Sequence, residues 1–285
     1  MNLVMTLLVR DEEDIIETNI EYHLAQGVDL IIATDNKSVD STTEILRKYE
    51  ALGVLHYIYE GSDDYSQHKW VTKMARMAYH KYGASWVINS DADEFWWPIE
   101  KDNLKNTFDS TPGNINIIFA QRHNFVYIEN ATSRHFYRNM IYREANSTNS
   151  IGRPLSPKAA HIGSDSVIVE QGNHSAHGIG PHVSCNDVVE IFHFPVRSET
   201  QIVNKILKGG AAYERNTDFP ESVGKTWRDL YKMHRDTGNL SDYVTDMLYD
   251  ENRISVALKN GSILLDTRLR DYLDSIGTPE EHPVL

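Results

Sequence analysis

The chain has 285 residues, 40% apolar and 10% aromatic, with 28 Lys and Arg against 41 Asp and Glu for a net charge of −13. That apolar fraction supports a sizeable core and excludes wholesale disorder. The acidic balance excludes a protein that coats nucleic acid or an anionic membrane, since both need a basic face, but leaves room for an anionic small ligand received through a metal ion and a few local basic groups.

In chain order, Leu3–Val9 is a short apolar run that predicts a buried strand. Its neighbours Arg10, Asp11, Glu12, Glu13 and Asp14, and the absence of a basic region or cleavage site, argue against a signal peptide. Asp11–Gln26 predicts a helix, with acids in its first turn, apolar residues at helical spacing and Gly27 as its stop. Val28–Thr34 predicts a second strand, Ser41–Leu52 a second helix and Val54–Glu60 a third strand. Gln67–Tyr82 predicts a third helix and Ala84–Asn89 a fourth strand, which runs into Ser90, Asp91, Ala92, Asp93 and Glu94. Strand-helix alternation of this kind predicts an α/β fold with a mostly parallel sheet and helices on both faces. Ligands bind such sheets beyond the carboxyl ends of the strands, where the polar clusters of this sequence fall.

The middle is less regular. Asn114–Arg122, Phe125–Ile128, Val167–Gln171 and Val188–Phe194 predict strands, and residues 143–165 read as loops. From Ser198 the pattern is helical, over Ser198–Lys208, Lys225–Arg235 and Arg253–Lys259. Residues 1–197 are expected to form the catalytic domain and 198–285 a helical extension packed on it. No run approaches the roughly 20 apolar residues of a membrane span. The single cysteine, Cys185, excludes an internal disulfide and suits a reducing, cytoplasmic setting.

Asp91 and Asp93, one residue apart after a buried strand, suit a shared hard cation such as Mg²⁺ or Mn²⁺ that also binds substrate phosphates. Either His174 or His193 could complete that site, because neutral imidazole accepts Mn²⁺. Asp35, at the end of the second strand, is placed to accept hydrogen bonds from a base or ribose. Asp40, Ser41 and Thr42 suit turn and helix-cap positions as well as they suit a ligand role. Arg10 is a ligand candidate, while the acids after it suit a helix N-terminus. Lys69, Lys158, Arg197 and Lys205 are candidates for phosphate contact. Phe95, Trp96 and Trp97 suit either a sugar-stacking surface or the core. There is no Gly-x-Ser-x-Gly, no P-loop and no Gly-x-Gly-x-x-Gly after the first strand, which disfavours a serine hydrolase, a P-loop NTPase and an NAD enzyme.

Leu3–Asp14, Ile31–Thr42 and Trp86–Phe95 together resemble the family-2-like glycosyltransferases of the GT-A fold. The Asp-x-Asp-Glu-Phe run is similar to the subgroup that includes family-92 transferases. That subgroup's later pattern is matched by Lys158, His174, His193 to Ser198 and Lys205. The usual Asp-Asp-Gly-Ser-x-Asp-x-Thr is changed here, with Thr34 for its first Asp and Lys37 near its Gly, and Lys37 joins the donor-binding candidates. The resemblance implies a nucleotide-sugar donor, most often UDP-linked, with Mn²⁺ or Mg²⁺ bridging Asp93 and the diphosphate. It also implies an acceptor hydroxyl on a glycan or lipid-linked substrate, in bacterial-type polysaccharide synthesis, and transfer with inversion. Inversion needs a carboxylate base. Asp165, Glu170 and Asp187 are its candidates, and Glu94 either holds the acceptor or supports the neighbouring loop. Sugar nucleotidyltransfer and non-catalytic carbohydrate binding are the rival readings.

Overall fold

The computed structural model describes residues 1–63, 66–128, 135–149, 152–217, 220 and 223–277. The first hundred residues alternate as expected: β1 (Leu3–Val9), α1 (Ile16–Ala25), β2 (Leu30–Asp35), α2 (Thr42–Ala51), β3 (Leu55–Tyr59), α3 (Gln67–Tyr82) and β4 (Trp86–Asp91). Then follow β5 (Glu94–Pro98), α4 (Leu104–Asp109), β6 (Ile117–Asn124), β7 (Tyr127–Ile128), α5 (Phe136–Asn139), β8 (Tyr142–Glu144), β9 (Lys158–Ile162), β10 (Ile168–Val169), β11 (Ala176–His177) and β12 (Ser184–His193). The C-terminal part contains α6 (Glu199–Arg215), α7 (Lys225–Thr237), α8 (Ser241–Met247), β13 (Leu248–Tyr249), α9 (Glu251–Asn260), β14 (Ile263–Leu265) and α10 (Arg268–Ile276).

Eight strands make one sheet in the order β3-β2-β1-β4-β9-β6-β12-β5. β3, β2, β1 and β4 are parallel, and β9 enters antiparallel between β4 and β6. β12 is parallel to β6, and β5 closes the edge antiparallel. The fold is α/β as expected, with a sheet that is mixed in its second half. Leu3, Val4, Met5 and Leu7 are fully buried, as a strand covered on both faces requires. One face packs on Ile16, Ile20, Leu46 and Tyr49 of α1 and α2, the other on Val71, Met74, Ala75 and Ala78 of α3.

Three expectations are corrected and one alternative is decided. α1 starts at Ile16, because Asp11 to Asp14 turn toward the cleft described below, with Asp11 at φ 53°. Lys158–Ile162, expected as loop, is a central strand; its short Lys-Ala-Ala-His-Ile run carries no strand periodicity, and only pairing on both sides makes it one. Phe95, Trp96 and Trp97 are core: Phe95 and Trp96 are fully buried, and Trp97 stacks on Phe192. Finally, the C-terminal part is not purely helical. β13 pairs with β7 and β14 with β8, fastening it to the sheet domain.

α6 and α7 pack closely through Gly209 and Gly210. A Cβ on Gly210 would lie 2.3 Å from the Tyr231 Cβ and 2.8 Å from the Trp227 carbonyl.

Candidate active site

β1, β2, β4, β6 and β12 all run the same way, so their carboxyl ends share one edge. Over that edge lies a cleft of about 1020 Å³. The strand ends form one wall, including Arg10, Asp91, Asp93 and His193, and α6, α7 and α8 form the other.

Asp93 is the focus. It is 3% exposed. Its Oδ2 accepts from Lys205 Nζ at 2.6 Å, and its Oδ1 faces His193 Nε2 at 3.7 Å. Burial alone would raise this carboxyl, but the charges of Lys205 and Arg197 outweigh it and hold Asp93 well below the usual carboxylate range. His193 donates through Nδ1 to Asn124 Oδ1 at 2.7 Å, since the Asn124 amide nitrogen is committed to Glu144 and the Thr148 carbonyl. That bond puts the imidazole proton on Nδ1 and leaves the Nε2 lone pair toward Asp93. Burial lowers the His193 pKa to about 3, so the ring is neutral near pH 7.

Asp91 is differently placed. Its Oδ2 accepts from Lys158 at 2.5 Å, and its Oδ1 from Gln67 and Asn173, each at 3.3 Å. Lys158, 2% exposed, also reaches Glu94 Oε1 at 3.1 Å, with Arg122 at 3.8 Å from the same oxygen. β9 starts where β4 ends, which is why Lys158 meets Asp91. Glu94 is fully buried and off the cleft wall, its pKa pushed up to about 7 by burial. It supports Lys158 from behind, off the cleft.

Other expected ligands serve the scaffold. Arg197, 1% exposed, clamps Glu12 at 2.5 Å and Asp14 at 2.7 and 2.9 Å, and donates to the Phe194 carbonyl. Asp35 is fully buried, with its oxygens taken by Ser38 N, Thr43 Oγ1 and Tyr57 OH. His174 lines the cleft, donates to the Pro157 carbonyl at 2.8 Å and lays its ring against Gly172. Lys37 lies 3.9 Å from Asp63, and Lys69 is exposed; neither lines the cleft. Asp165, Glu170 and Asp187, the expected bases, are exposed and off the cleft wall. Glu170 pairs with His177, and Asp187 occupies a β-bulge in β12 at φ 62°. Arg10 does line the cleft and pairs with Asp63 at 2.6 Å.

Among the described residues no three His, Cys, Asp or Glu side chains converge as a cation site. Asp93 and His193 still fit one. Both direct electron-rich atoms at each other across 3.7 Å, and Mg²⁺ or Mn²⁺ is commonly held by one or two protein ligands plus phosphate oxygens and water. Lys205, 30% exposed, can leave Asp93, whereas Lys158 is locked on Asp91.

Sequence reasoning passed over Asn124, Arg122, Glu144 and Lys208, which also line the cleft. Lys208 pairs with Asp11 at 2.5 Å, three residues beyond Lys205 on the same helical face; that spacing was a usable signal. Asn124 and Arg122 sit at the end of a predicted strand, but nothing local marks Glu144.

The sequence model described as Glycosyltransferase family 92 matches residues 5–180, more than half of the chain. No curated protein sequence matches. Similar solved structures include S. aureus TarS 1-349 in complex with UDP-GlcNAc, at 12% identity over 83% of this chain and 73% of that one, with a TM-score of 0.45. Another is glucosyl-3-phosphoglycerate synthase from Mycobacterium tuberculosis in complex with Mn2+, UDP and glucosyl-3-phosphoglycerate, at 13% identity over 78% and 81%, with a TM-score of 0.39. These are distant likenesses.

Proposed function

This chain belongs to glycosyltransferase family 92, and we propose that it transfers a sugar from a UDP-linked donor to an acceptor hydroxyl, with inversion, using Mn²⁺ or Mg²⁺ held by Asp93 and His193. The observation that carries this reading is the neutral imidazole of His193 facing the ionised carboxylate of Asp93 inside the cleft.

The cation, when bound, supplies Lewis acidity toward the departing diphosphate. The chain's own residues do the rest. Asn124 orients His193. Lys205 and Lys208 exchange their aspartate partners for diphosphate oxygens and stabilise the charge that develops there. Arg10 contributes from the end of β1. Lys158 keeps Asp91 paired and the turn between β4 and β5 rigid, so that Asp93 is preorganised. A glycan or lipid-linked hydroxyl is the acceptor class, as in bacterial-type polysaccharide synthesis. Among the described residues no helix is long and apolar enough to cross a membrane.

The test is a panel of UDP-sugars with Mn²⁺, Mg²⁺ or chelator, reading UDP release, with calorimetry of UDP binding beside it. Metal-dependent turnover of one donor is expected, lost in Asp93→Ala. Failure to turn over or bind any nucleotide sugar sinks the reading, and unchanged metal-dependent UDP binding in Asp93→Ala sinks the metal assignment. The anomeric configuration of the product, read by NMR, decides inversion.

A further inference from the structure

We propose that Glu144 is the catalytic base that removes the proton from the acceptor hydroxyl. The proposal rests on the glycosyltransferase reading above and names a residue for a step that reading leaves open.

The acids on the cleft wall divide by their partners. Asp11 is paired with Lys208, Glu12 and Asp14 with Arg197, Asp91 with Lys158 and Asp93 with Lys205. A carboxylate bound to a cation is a poor proton acceptor. Glu13 and Asp40 accept from backbone amides at the starts of α1 and α2, and Asp246 is exposed on α8. Glu144 is left: half-buried, on the cleft wall and, among the described residues, held by neutral donors. Its Oε2 accepts from Asn124 Nδ2 at 3.1 Å, and the Thr148 backbone and Ser147 hydroxyl also donate to it.

Position supports the role. Asn124 binds Glu144 with its nitrogen and His193 with its oxygen, so one side chain fixes the carboxylate relative to the Asp93–His193 pair. β8, which carries Glu144, is pinned by β14, with Ile263 opposite Glu144. The charged neighbours on the packed strands are committed elsewhere. Arg143 turns to Asp266, and His123 lies 3.1 Å from Glu190. Burial raises the Glu144 pKa against the pull of its hydrogen bonds, which strengthens it as a base. His174, the other uncharged basic group in the cleft apart from His193, is lowered to about 4 by burial.

The step balances. The acceptor O–H gives its proton to Glu144 as its oxygen bonds the anomeric carbon. The bond from that carbon to the diphosphate oxygen breaks, and its electron pair leaves on UDP.

The experiment measures hydrolysis of a UDP-sugar, with water standing in for the acceptor, across pH 4–9 (about that range). Wild type is compared with Glu144→Gln, Glu144→Asp and His174→Gln, with melting temperature and UDP affinity measured alongside. Glu144→Gln is expected to lower kcat about 100-fold or more, to keep UDP affinity, and to lose the acidic limb of the pH profile. Glu144→Asp is expected to keep that limb at reduced kcat. Retention of kcat and the acidic limb by Glu144→Gln overturns the proposal, as does loss of the limb in His174→Gln alone. A wild type that neither binds UDP nor hydrolyses any UDP-sugar overturns the underlying reading instead.

Discussion

His193 Nε2 faces Asp93 Oδ1 at 3.7 Å, beyond hydrogen-bond reach, with the imidazole proton spent on Asn124. Two electron-rich atoms held at this separation in a buried site repel each other unless a positive charge lies near both. Lys205 supplies part of it on the other Asp93 oxygen, and a divalent cation would supply more.

Asn124→Ala removes the hydrogen bond that fixes the His193 tautomer. Loss of such an outer partner commonly costs about 10–100-fold in metal affinity. Mn²⁺ titration of the variant in the presence of UDP should show that weakening, with the melting temperature of the metal-free protein changed much less.

Lys158→Met leaves Asp91 and Glu94 without their shared cation. Breaking a buried ion pair on one side costs about 3–5 kcal/mol, so urea unfolding should show a large loss of stability. Replacing Lys205, which is partly exposed, should cost far less stability and should weaken UDP binding.

Glu94 titrates higher in the folded chain, at about 7, than its ordinary 4.5. The folded state therefore holds a proton that the unfolded state has lost across that window, and stability falls as pH rises through it. Glu94→Gln should flatten the melting temperature against pH between those values. A slope identical to wild type would show that Glu94 stays ionised beside Lys158.

Gly210→Ala forces α6 and α7 apart, because its Cβ would fall 2.3 Å from that of Tyr231. Overpacking of this kind costs about 1–3 kcal/mol. Since α6 also carries Lys205 and Lys208, UDP affinity should fall with stability, whereas a substitution at Asp229, on the exposed side of α7 off the cleft, should spare it.

Asp165→Asn, Glu170→Gln and Asp187→Asn should each keep near wild-type turnover, because all three positions are exposed and off the cleft. A drop of about 100-fold in any of them, the scale of losing a general base, would move the base to that residue.

The first four strands and three helices were legible because each is a local pattern: apolar runs of strand length, helical spacing, and glycine stops. The clusters at their carboxyl ends were legible for the same reason. Asp93 and His193 could be named in advance, but their pairing depends on β12 lying beside β6 and β5, which no local pattern encodes. Lys158 reads as a ligand candidate in the sequence because its burial comes only from β9 entering the sheet between β4 and β6. Arg197 misled similarly: a basic residue in an acidic chain suggested phosphate, and only the tertiary fold brings Glu12 and Asp14 onto it. Glu144 had no signal, since its short strand forms only by pairing with a segment far along the chain.

That last pairing bears on how the molecule assembles. Leu248 and Tyr249 join Tyr127 and Ile128, and Ile263 to Leu265 join Tyr142 to Glu144. Contacts so far apart in sequence carry a large loop-closure entropy and form late. During synthesis the strands β1 to β4 can therefore pack while β7 and β8 still lack their partners. The part of the cleft wall that carries Glu144 is completed only after residue 265 has emerged from the ribosome, so in a nascent chain the end of β4 is in place before that wall is.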